Sequence, residues 1–530
     1  MKIIFKLFIF LILSFDGFSQ ITFNKAFTFE FDASLATSLL ETDTSYIISG
    51  VYSDILNDTT TLRGVYLAEL DFEGNLMDYS LLVDSTGNNN YNQWRANLTL
   101  TNNGHFIQSG YHNLDGKLIP YLTKFNKNCE IDFITRCQSD FVNSEFEVDA
   151  DFVVLPDSSM ILFTACNRDD QMDLPNPSTE ICLFKMNKDG DILWKKKIEE
   201  NDKRQLVGSV SLNRKENIIL FGSQDYSIIG DFTKSRIMIK EIDTSGVVQD
   251  EWYSIWGKNY WISFSGIPLG ENGYILTCHK IFEWSQLNFL TDPIVLRLDS
   301  EYNELWKHAL FNRTDTLFSS SLRNYDVIQT IDKENYVVIG NFHKGDLNNP
   351  NGDYSDNFGR IECFDDQGNL IWSRLYQYFL DEAYSEEHRF RDIIQTQDGG
   401  FLVCGLAHDR TNLEQDSQRS WLLKLDEHGC LIPGCHLPVS SEEAAGVGFT
   451  LKTFPNPTSD FINVYISLPD RSTTKLILSD LSGKIMKEIS VKQNELTLII
   501  DVHDLAAGMY VLRLEHEGEV LGTEKVSILR

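Results

Sequence analysis

From Tyr46 to Asp426 the apolar and polar positions follow a two-part pattern that returns seven times. A polar turn runs into an apolar strand, as in Asp398-Gly399-Gly400-Phe401-Leu402-Val403-Cys404-Gly405. A second strand then ends in an Asp or Asn turn, as in Trp421-Leu422-Leu423-Lys424-Leu425-Asp426. The strand-opening residues align as Tyr46, Phe106, Met160, Ile218, Tyr274, Tyr336 and Phe401. Four positions on stand Gly50, Gly110, Thr164, Gly222, Cys278, Gly340 and Gly405, small residues that predict a close approach of neighbouring backbone or bulky side chains. The second register is Asp71, Asn126, Asn187, Asp243, Asp299, Asp365 and Asp426. Recurrence of Asx at one turn of every unit predicts turn capping rather than catalytic carboxylates. Two positions before each Asx stands a polar residue between apolar ones (Glu69, Lys124, Lys185, Glu241, Arg297, Glu362, Lys424). Such alternation predicts a strand with only one face fully buried.

A further strand often carries Trp, at Trp194, Trp306 and Trp372. Each unit therefore reads as four antiparallel strands in roughly 60 residues, the scale of a generously looped propeller blade. Radial closure suits four-stranded meanders better than an open solenoid, because it leaves only short, protected edges. The expected fold is all-β: a seven-bladed β-propeller over residues 20–436, with six or eight blades as the alternatives, followed by a small C-terminal β-sandwich. The seventh unit lacks a fourth strand, while Phe27, Phe29 and Phe31 alternate with polar residues ahead of the first. Contact between residues 23–31 and the unit around Phe401 to Leu425 is the expected latch.

Composition sharpens the class without naming a ligand. The 530 residues are 42% hydrophobic and 12% aromatic, enough for packed cores. A net charge of -31 and a pI near 4.7 argue against nucleic acid and anionic lipid as partners, since both demand clustered Lys and Arg. Lys2 and Lys6 flank an apolar run from Ile3 to Leu13 that ends at Gly17-Phe18-Ser19. That is the layout of a signal peptide over residues 1–19, with Gln20 opening the mature chain; no later stretch is apolar enough for a transmembrane helix. Nine cysteines leave at least one thiol without an intramolecular partner. In an oxidising compartment Cys430 with Cys435 and Cys129 with Cys137 are local disulfide candidates, and Cys166 with Cys182 a third across neighbouring strands. Cys278, Cys363 and Cys404 sit at apolar strand positions, as buried thiols do.

Residues 437–450 lose the strand pattern and read as a linker, and residues 451–530 form a separate unit of short alternating runs. Three motifs mark that unit in order: Phe454-Pro455-Asn456-Pro457-Thr458, then Leu478-Ser479-Asp480-Leu481-Ser482-Gly483-Lys484, then Leu505-Ala506-Ala507-Gly508-Met509-Tyr510-Val511-Leu512. Pro455 and Pro457 stiffen the approach to the first strand, and Gly508 allows a tight turn before the last hairpin. Together with Asn456, Gly483 and Tyr510, these residues make the unit resemble the C-terminal sorting domain (type A) of the Bacteroidetes type IX secretion system. The resemblance implies export through the periplasm to the cell surface or extracellular space. It also implies the type IX machinery and a sortase-like surface protease as partners. The repeat region looks like the propeller passengers found beside such domains.

Catalytic signatures are missing: there is no His-Glu-x-x-His, no Gly-x-Ser-x-Gly and no Walker loop. His428, Cys430, Cys435 and His436 offer four metal-capable side chains, but their close spacing suits a disulfide better than zinc. The acidic loop from Asn348 to Asp356 lacks EF-hand ligand spacing, so Ca²⁺ has weak support and no cofactor is expected. Trp252, Trp256, Tyr260 and Trp261, with Tyr253, crowd one segment between the fourth and fifth units; they are the candidate binding residues, with packing between blades as the competing role. The expected function is a non-catalytic glycan- or protein-binding module, against a propeller glycoside hydrolase or lyase and a purely structural surface component. Convergent carboxylates or a metal at the ring centre would mark the enzyme.

Overall fold

The computed structural model describes residues 20–528 except 28, 30, 58–59, 84–89, 93–96, 115–116, 139–149, 168–178, 199–202, 226–234, 256–259, 285–288, 310–322, 344–356, 380–385, 410–417, 432–449, 455–457, 459–460, 469–473, 482, 492–494 and 517–518. The chain starts with β1 (Phe23–Phe27). The first sheet is β2 (Ala33–Glu41), β3 (Tyr46–Asn57), β4 (Thr60–Leu70) and β5 (Leu76–Val83). The second has a divided inner strand, β6 (Asn90–Asn92) and β7 (Leu98–Leu100), then β8 (Phe106–Leu114), β9 (Lys117–Phe125) and β10 (Ile131–Arg136). The third is β11 (Ala150–Val154), β12 (Met160–Asn167), β13 (Thr179–Met186) and β14 (Ile192–Ile198). The fourth is β15 (Arg204–Leu212), β16 (Ile218–Asp225), β17 (Ser235–Ile242) and β18 (Val248–Tyr253). The fifth is β19 (Tyr260–Pro268), β20 (Tyr274–Trp284), β21 (Phe289–Leu298) and β22 (Glu304–Ala309). The sixth is β23 (Arg323–Gln329), β24 (Asn335–His343), β25 (Asn357–Asp365) and β26 (Leu370–Tyr376). In the seventh, β27 (Glu386–Gln395), β28 (Phe401–Asp409) and β29 (Arg419–Leu425) are completed by β1.

Every sheet is an antiparallel meander, and each packs on the next, with β27, β28 and β29 packing back on β2. The sheets form a closed β-propeller. Strands in the middle of each sheet are covered on both faces, which explains their near-continuous apolar runs: Met160 to Phe163 and Leu402 to Cys404 are all buried. The expectation of a half-buried third strand is corrected on the same ground. Arg297, Glu362 and Lys424 are buried, the other four partly so; Lys424 Nζ lies 2.9 Å from Asp398 Oδ2 and Arg297 donates to Asn272 O at 2.7 Å, both at turns, while Glu362 accepts from Ser373 Oγ at 3.1 Å. The alternation records side chains that run to the sheet end, not a wet face.

The Asx register builds the turns, as expected. Asp299 Oδ1 accepts from Glu301 N at 2.9 Å and Asn303 N at 2.8 Å, and Asp365 Oδ1 accepts from Gln367 N and Asn369 N at 2.9 and 2.8 Å. The pattern repeats at Asn126, Asn187, Asp243 and Asp426. Side-chain hydrogen bonds from Asn303 and Asn369 lead the causes that hold Asp299 and Asp365 below the ordinary carboxylate range. Most of these turns receive an aromatic ring from the preceding sheet. At Gly429 (φ 69°) a Cβ would meet the Trp372 ring at 2.7 Å, and at Gly74 (φ 76°) it would meet Phe23 of β1 at 2.6 Å. Trp194 packs likewise against Gly246, and Trp306 against Gly368. The recurrent Trp and the recurrent Asx-turn glycine are thus two halves of one contact between sheets.

The latch forms as an antiparallel pair from Phe23↔Lys424 to Phe27↔Ser420. Trp421 is fully buried behind it and donates from Nε1 to Asn24 Oδ1 at 2.6 Å. Gln20 bridges two turns, donating to Asp398 O at 2.7 Å and accepting from Glu427 N at 3.2 Å. The alternation through Phe31 does not extend the strand. Phe29 takes φ 55°, and Phe29 and Phe31 cross to the first sheet, where their ring centroids lie 4.6 Å from Tyr66 and 4.1 Å from Tyr52.

The C-terminal unit is a two-sheet sandwich. β30 (Thr450–Phe454), β31 (Phe461–Ser467) and β34 (Glu495–Asp501) face β33 (Ile485–Val491), β32 (Thr474–Asp480), β35 (Gly508–His516) and β36 (Glu519–Ile528) around a core of its own. Gly483 (φ 87°) closes the Asp480 turn, and Tyr510 donates from its hydroxyl to Ala506 O at 2.8 Å. Gly508 opens β35, while Pro455, Asn456 and Pro457 lie outside the described residues. Among the described residues no helix is long and apolar enough to cross a membrane.

The expected Cys129–Cys137 bridge is not formed. Both are free and buried in different cores, Cys129 with Leu67 of the first sheet and Cys137 with Phe152 of the third. The bridge that forms between neighbouring strands is Cys166–Cys182. Cys430 is disulfide-bonded, and Cys435, its expected partner, lies outside the described residues. Cys278, Cys363 and Cys404 are free and buried.

Two outcomes follow from this closure. Deleting residues 20–27 exposes the edge of β29 and is expected to lower the thermal midpoint by roughly 10 °C or more and promote association, measured by calorimetry and light scattering. Gly405→Ala places a Cβ 1.8 Å from Arg389 O, a backbone atom with little room to yield. We expect a loss of about 3 kcal/mol or more in denaturant unfolding.

Candidate functional site

The inner strands β2, β7, β11, β15, β19, β23 and β27 line a central channel of ≈ 340 Å³. Most of them carry a β-bulge at the channel: the register shifts between Ala36 and Ser38, Val207 and Ser209, Ser263 and Ser265, Asn324 and Asp326, and Phe390 and Asp392. The residues paired just before these shifts are Gly50, Gly222, Cys278, Gly340 and Gly405, all from the small-residue register. The bulge folds a carbonyl over that small residue; a Cβ on Gly50 would stand 2.1 Å from Leu35 O, and one on Gly222 2.2 Å from Leu206 O. A bulge re-aims the side chain that follows it. Here that side chain is Ser38, Ser209, Ser265, Asp326 or Asp392.

These side chains tie each inner strand to the next. Leu98 N donates to Ser38 Oγ at 3.2 Å, and Asn97 Nδ2 to Asp151 Oδ1 at 2.9 Å. Val210 N donates to Asp151 Oδ2 at 2.7 Å, and Gly266 N to Ser209 Oγ at 3.0 Å. Ser265 Oγ donates to Asp326 Oδ1 at 2.6 Å, and Asp326 and Asp392, on neighbouring inner strands, both line the channel. Asp392 Oδ2 accepts from Ser38 Oγ at 2.9 Å and Leu39 N at 2.8 Å, which returns the series to the first sheet. Polar contacts therefore run around the centre of the ring from Asp392 to Asp326, with these two carboxyls at the junction of the sixth and seventh sheets.

Asp151, Asp326 and Asp392 converge on the channel with Arg391. Burial raises Asp326 above the ordinary carboxylate range, and the negative charge of Asp392 raises it further. Burial likewise raises Asp392, against the hydrogen bonds it accepts from Leu39 N and Ser38. Glycoside hydrolysis uses two carboxyl groups about 5 to 9.5 Å apart with a glycosidic bond between them. Asp326 accepts from Ser265 and Val327 N, and Asp392 from Ser38, Leu39 N and Ile393 N, so both are held by neighbouring strands, which is the geometry of a fastening. Sequence reading passed over these residues because the repeat was aligned only from the second strand of each unit. One strand upstream, a small polar or acidic residue stands eight to ten positions ahead of the strand opener: 38 before 46, 97 before 106, 151 before 160, 209 before 218, 265 before 274, 326 before 336 and 392 before 401.

The two ends of the ring differ. Connections from first to second strand and from third to fourth are short hydrogen-bonded turns, such as 213–217 and 299–303. At the opposite end the second strands end and the third begin, with 168–178, 226–234, 344–356 and 410–418 among the sequence stretches between them, and the successive sheets begin, after stretches that include 137–149, 254–259, 310–322 and 377–385. Trp256 lies outside the described residues, as does the loop from Asn348 to Asp356. Tyr260 and Trp261 open β19 at the same end, with side chains outside the description. Trp252 stacks on Tyr302 of the fifth sheet at 5.6 Å and 9°, and Tyr302 stacks on Tyr274 at 5.1 Å and 2°. That triple stack is packing between sheets. Elsewhere, Asp501, His503 and Asp504 bring three metal-capable atoms within 4.8 Å of one another in the C-terminal unit. They are already engaged: His503 with Asp501 at 2.5 Å and Asp504 with Lys487 at 3.2 Å.

No curated protein matches the chain. Among solved structures it is distantly similar to polysaccharide lyase Uly1, with 10% identity, a TM-score of 0.45, and 75% of this chain and 90% of that one covered. A PL25 ulvan lyase gives 9% identity, a TM-score of 0.43, and coverage of 77% and 97%. An α-L-arabinanase from Penicillium chrysogenum gives 10%, 0.39, and 63% and 92%. At these scores the likenesses assign no activity to the chain. Residues 452–528 match the family described as the secretion system C-terminal sorting domain, so the C-terminal sandwich is a sorting domain and the protein is exported to the cell surface or extracellular space.

Proposed function

We propose that the propeller is a non-catalytic binding module, with glycan as the favoured ligand class, carried to the cell surface by its sorting domain. The observation that carries this reading is the division of labour between the two ends of the ring. One end is closed by short capped turns, and the other gathers the long connections on a rigid scaffold, the usual placement of binding residues. Tyr260 and Trp261 open β19 at the loop-bearing end, Trp256 precedes them closely in sequence, and aromatic faces suit stacking on sugar rings. The channel carboxylates support binding over catalysis, because they hold strands together. Residues 1–19 act as the signal peptide, and a surface protease of the secretion system is the partner that acts on the sorting domain.

The test is binding of the mature chain, residues 20–530, to soluble and insoluble polysaccharides, with and without chelator, while the medium is assayed for released sugars. Retention without product is the expected result. Trp256→Ala with Trp261→Ala should weaken retention tenfold or more, the loss usual for truncated aromatic anchors, with the melting temperature unchanged. Sugar release would instead make the protein a hydrolase or lyase, and loss of folding in the double variant would make the two Trp packing residues.

A further inference from the structure

The inner circle of hydrogen bonds follows a rule that breaks down at one junction. Where the next circle residue is Ser or Asn, the circle residue's side-chain oxygen accepts the backbone N–H that follows it, as Ser38 does from Leu98, Asp151 from Val210, Ser209 from Gly266 and Asp392 from Leu39. Where the next residue is Asp, that Asp captures its own following N–H: Phe152 N to Asp151, Val327 N to Asp326 and Ile393 N to Asp392, each at 2.8 Å. The preceding circle residue must then supply the donor from its side chain. Asn97 donates an amide hydrogen to Asp151, and Ser265 a hydroxyl hydrogen to Asp326. For Asp392 the preceding residue is Asp326, which has a hydrogen to give only as a carboxylic acid.

We infer that Asp326 and Asp392 are a one-proton clasp: a carboxylic acid donating to a carboxylate, which closes the inner circle between the sixth and seventh sheets and makes the stability of the ring sensitive to pH. Asp326 is the donor, since Oδ1 already accepts from Ser265 and Val327, and Asp392 is the acceptor, held by Ser38, Leu39 and Ile393. Among the described residues, the other charged or titratable groups at the pair are Arg391 on β27, Cys404 on β28 and, on the same channel, Asp151 on β11; β2 and β19 present Ser38 and Ser265. Burial and the paired charge both favour keeping the proton. The folded form holds a proton that the unfolded chain releases in the ordinary carboxylate range. Stability from the clasp is therefore full below about pH 4 and is lost as pH rises through the raised values of the pair. Removing the proton leaves two adjacent carboxylates at the junction of the sixth and seventh inner strands.

Asp326→Asn separates this from a generic effect of acidity. The amide keeps the acceptor for Ser265 and Val327 and donates to Asp392 at every pH. In the mature chain, the melting temperature of the natural protein is expected to fall by about 3 °C or more, relative to Asp326→Asn, between roughly pH 5 and 9. Infrared spectra of the natural protein near neutral pH should also show a protonated carboxylic acid band that disappears in alkali and is missing from the variant. Parallel melting profiles would overturn the clasp. So would the absence of the acid band from the natural protein, a result that does not depend on the variant folding.

Discussion

Five residues of backbone pairing, Phe23 to Phe27 against Ser420 to Lys424, decide whether this chain is a ring or a stack with two raw edges. The pair spans nearly the whole propeller sequence, so it is formed at the cost of closing a very long loop, yet that cost grows only slowly with length. In return every sheet gains a neighbour on both faces. The middle strands then bury apolar side chains on both sides, and Trp421 finds cover and a hydrogen-bond partner in one segment. The channel, the capped end and the loop-bearing end exist only because the ring closes.

Two concentric contacts keep it closed. At the rim, an aromatic ring from most outer strands lies on the Asx turn of the next sheet, as Trp372 lies on Gly429. At the centre, bulged inner strands exchange Ser, Asn and Asp hydrogen bonds. The small residue opposite each bulge links the two levels, because it lets the inner strand bend enough to point its polar side chain at its neighbour. Polar residues in such a place stabilise only while each is satisfied. This is why a single proton at Asp326 matters to the whole.

Much of this was legible in the sequence. The openers from Tyr46 to Phe401, the Asx turns, the orphan strand and the sorting motifs all announce themselves by recurrence or by order. What escaped has physical reasons. The buried Arg297, Glu362 and Lys424 read as surface residues, because alternation cannot tell a wet face from a side chain that runs to a turn. Phe29 and Phe31 continued a strand on paper, but a positive φ at Phe29 sends them to another sheet. Cys129 and Cys137 are close in sequence and yet face different cores. Asp326 and Asp392 lie on the first strands of their sheets, upstream of the aligned strand openers, and only their neighbours in space reveal their role. Trp252 was read with Trp256 as one aromatic cluster, and its stack with Tyr302 gives it a place between sheets.

The central claim is that the N-terminal strand is an integral part of the last sheet. Native-state hydrogen exchange on the mature chain addresses it directly. The account predicts that amides of Asn24 to Phe27 that pair with β29 exchange with protection close to that of Val403 to Gly405 in β28, opening only when the ring opens. Rapid exchange of the N-terminal strand, with β28 still protected, would show a frayed terminus lying beside a ring that closes by other means, and would contradict it.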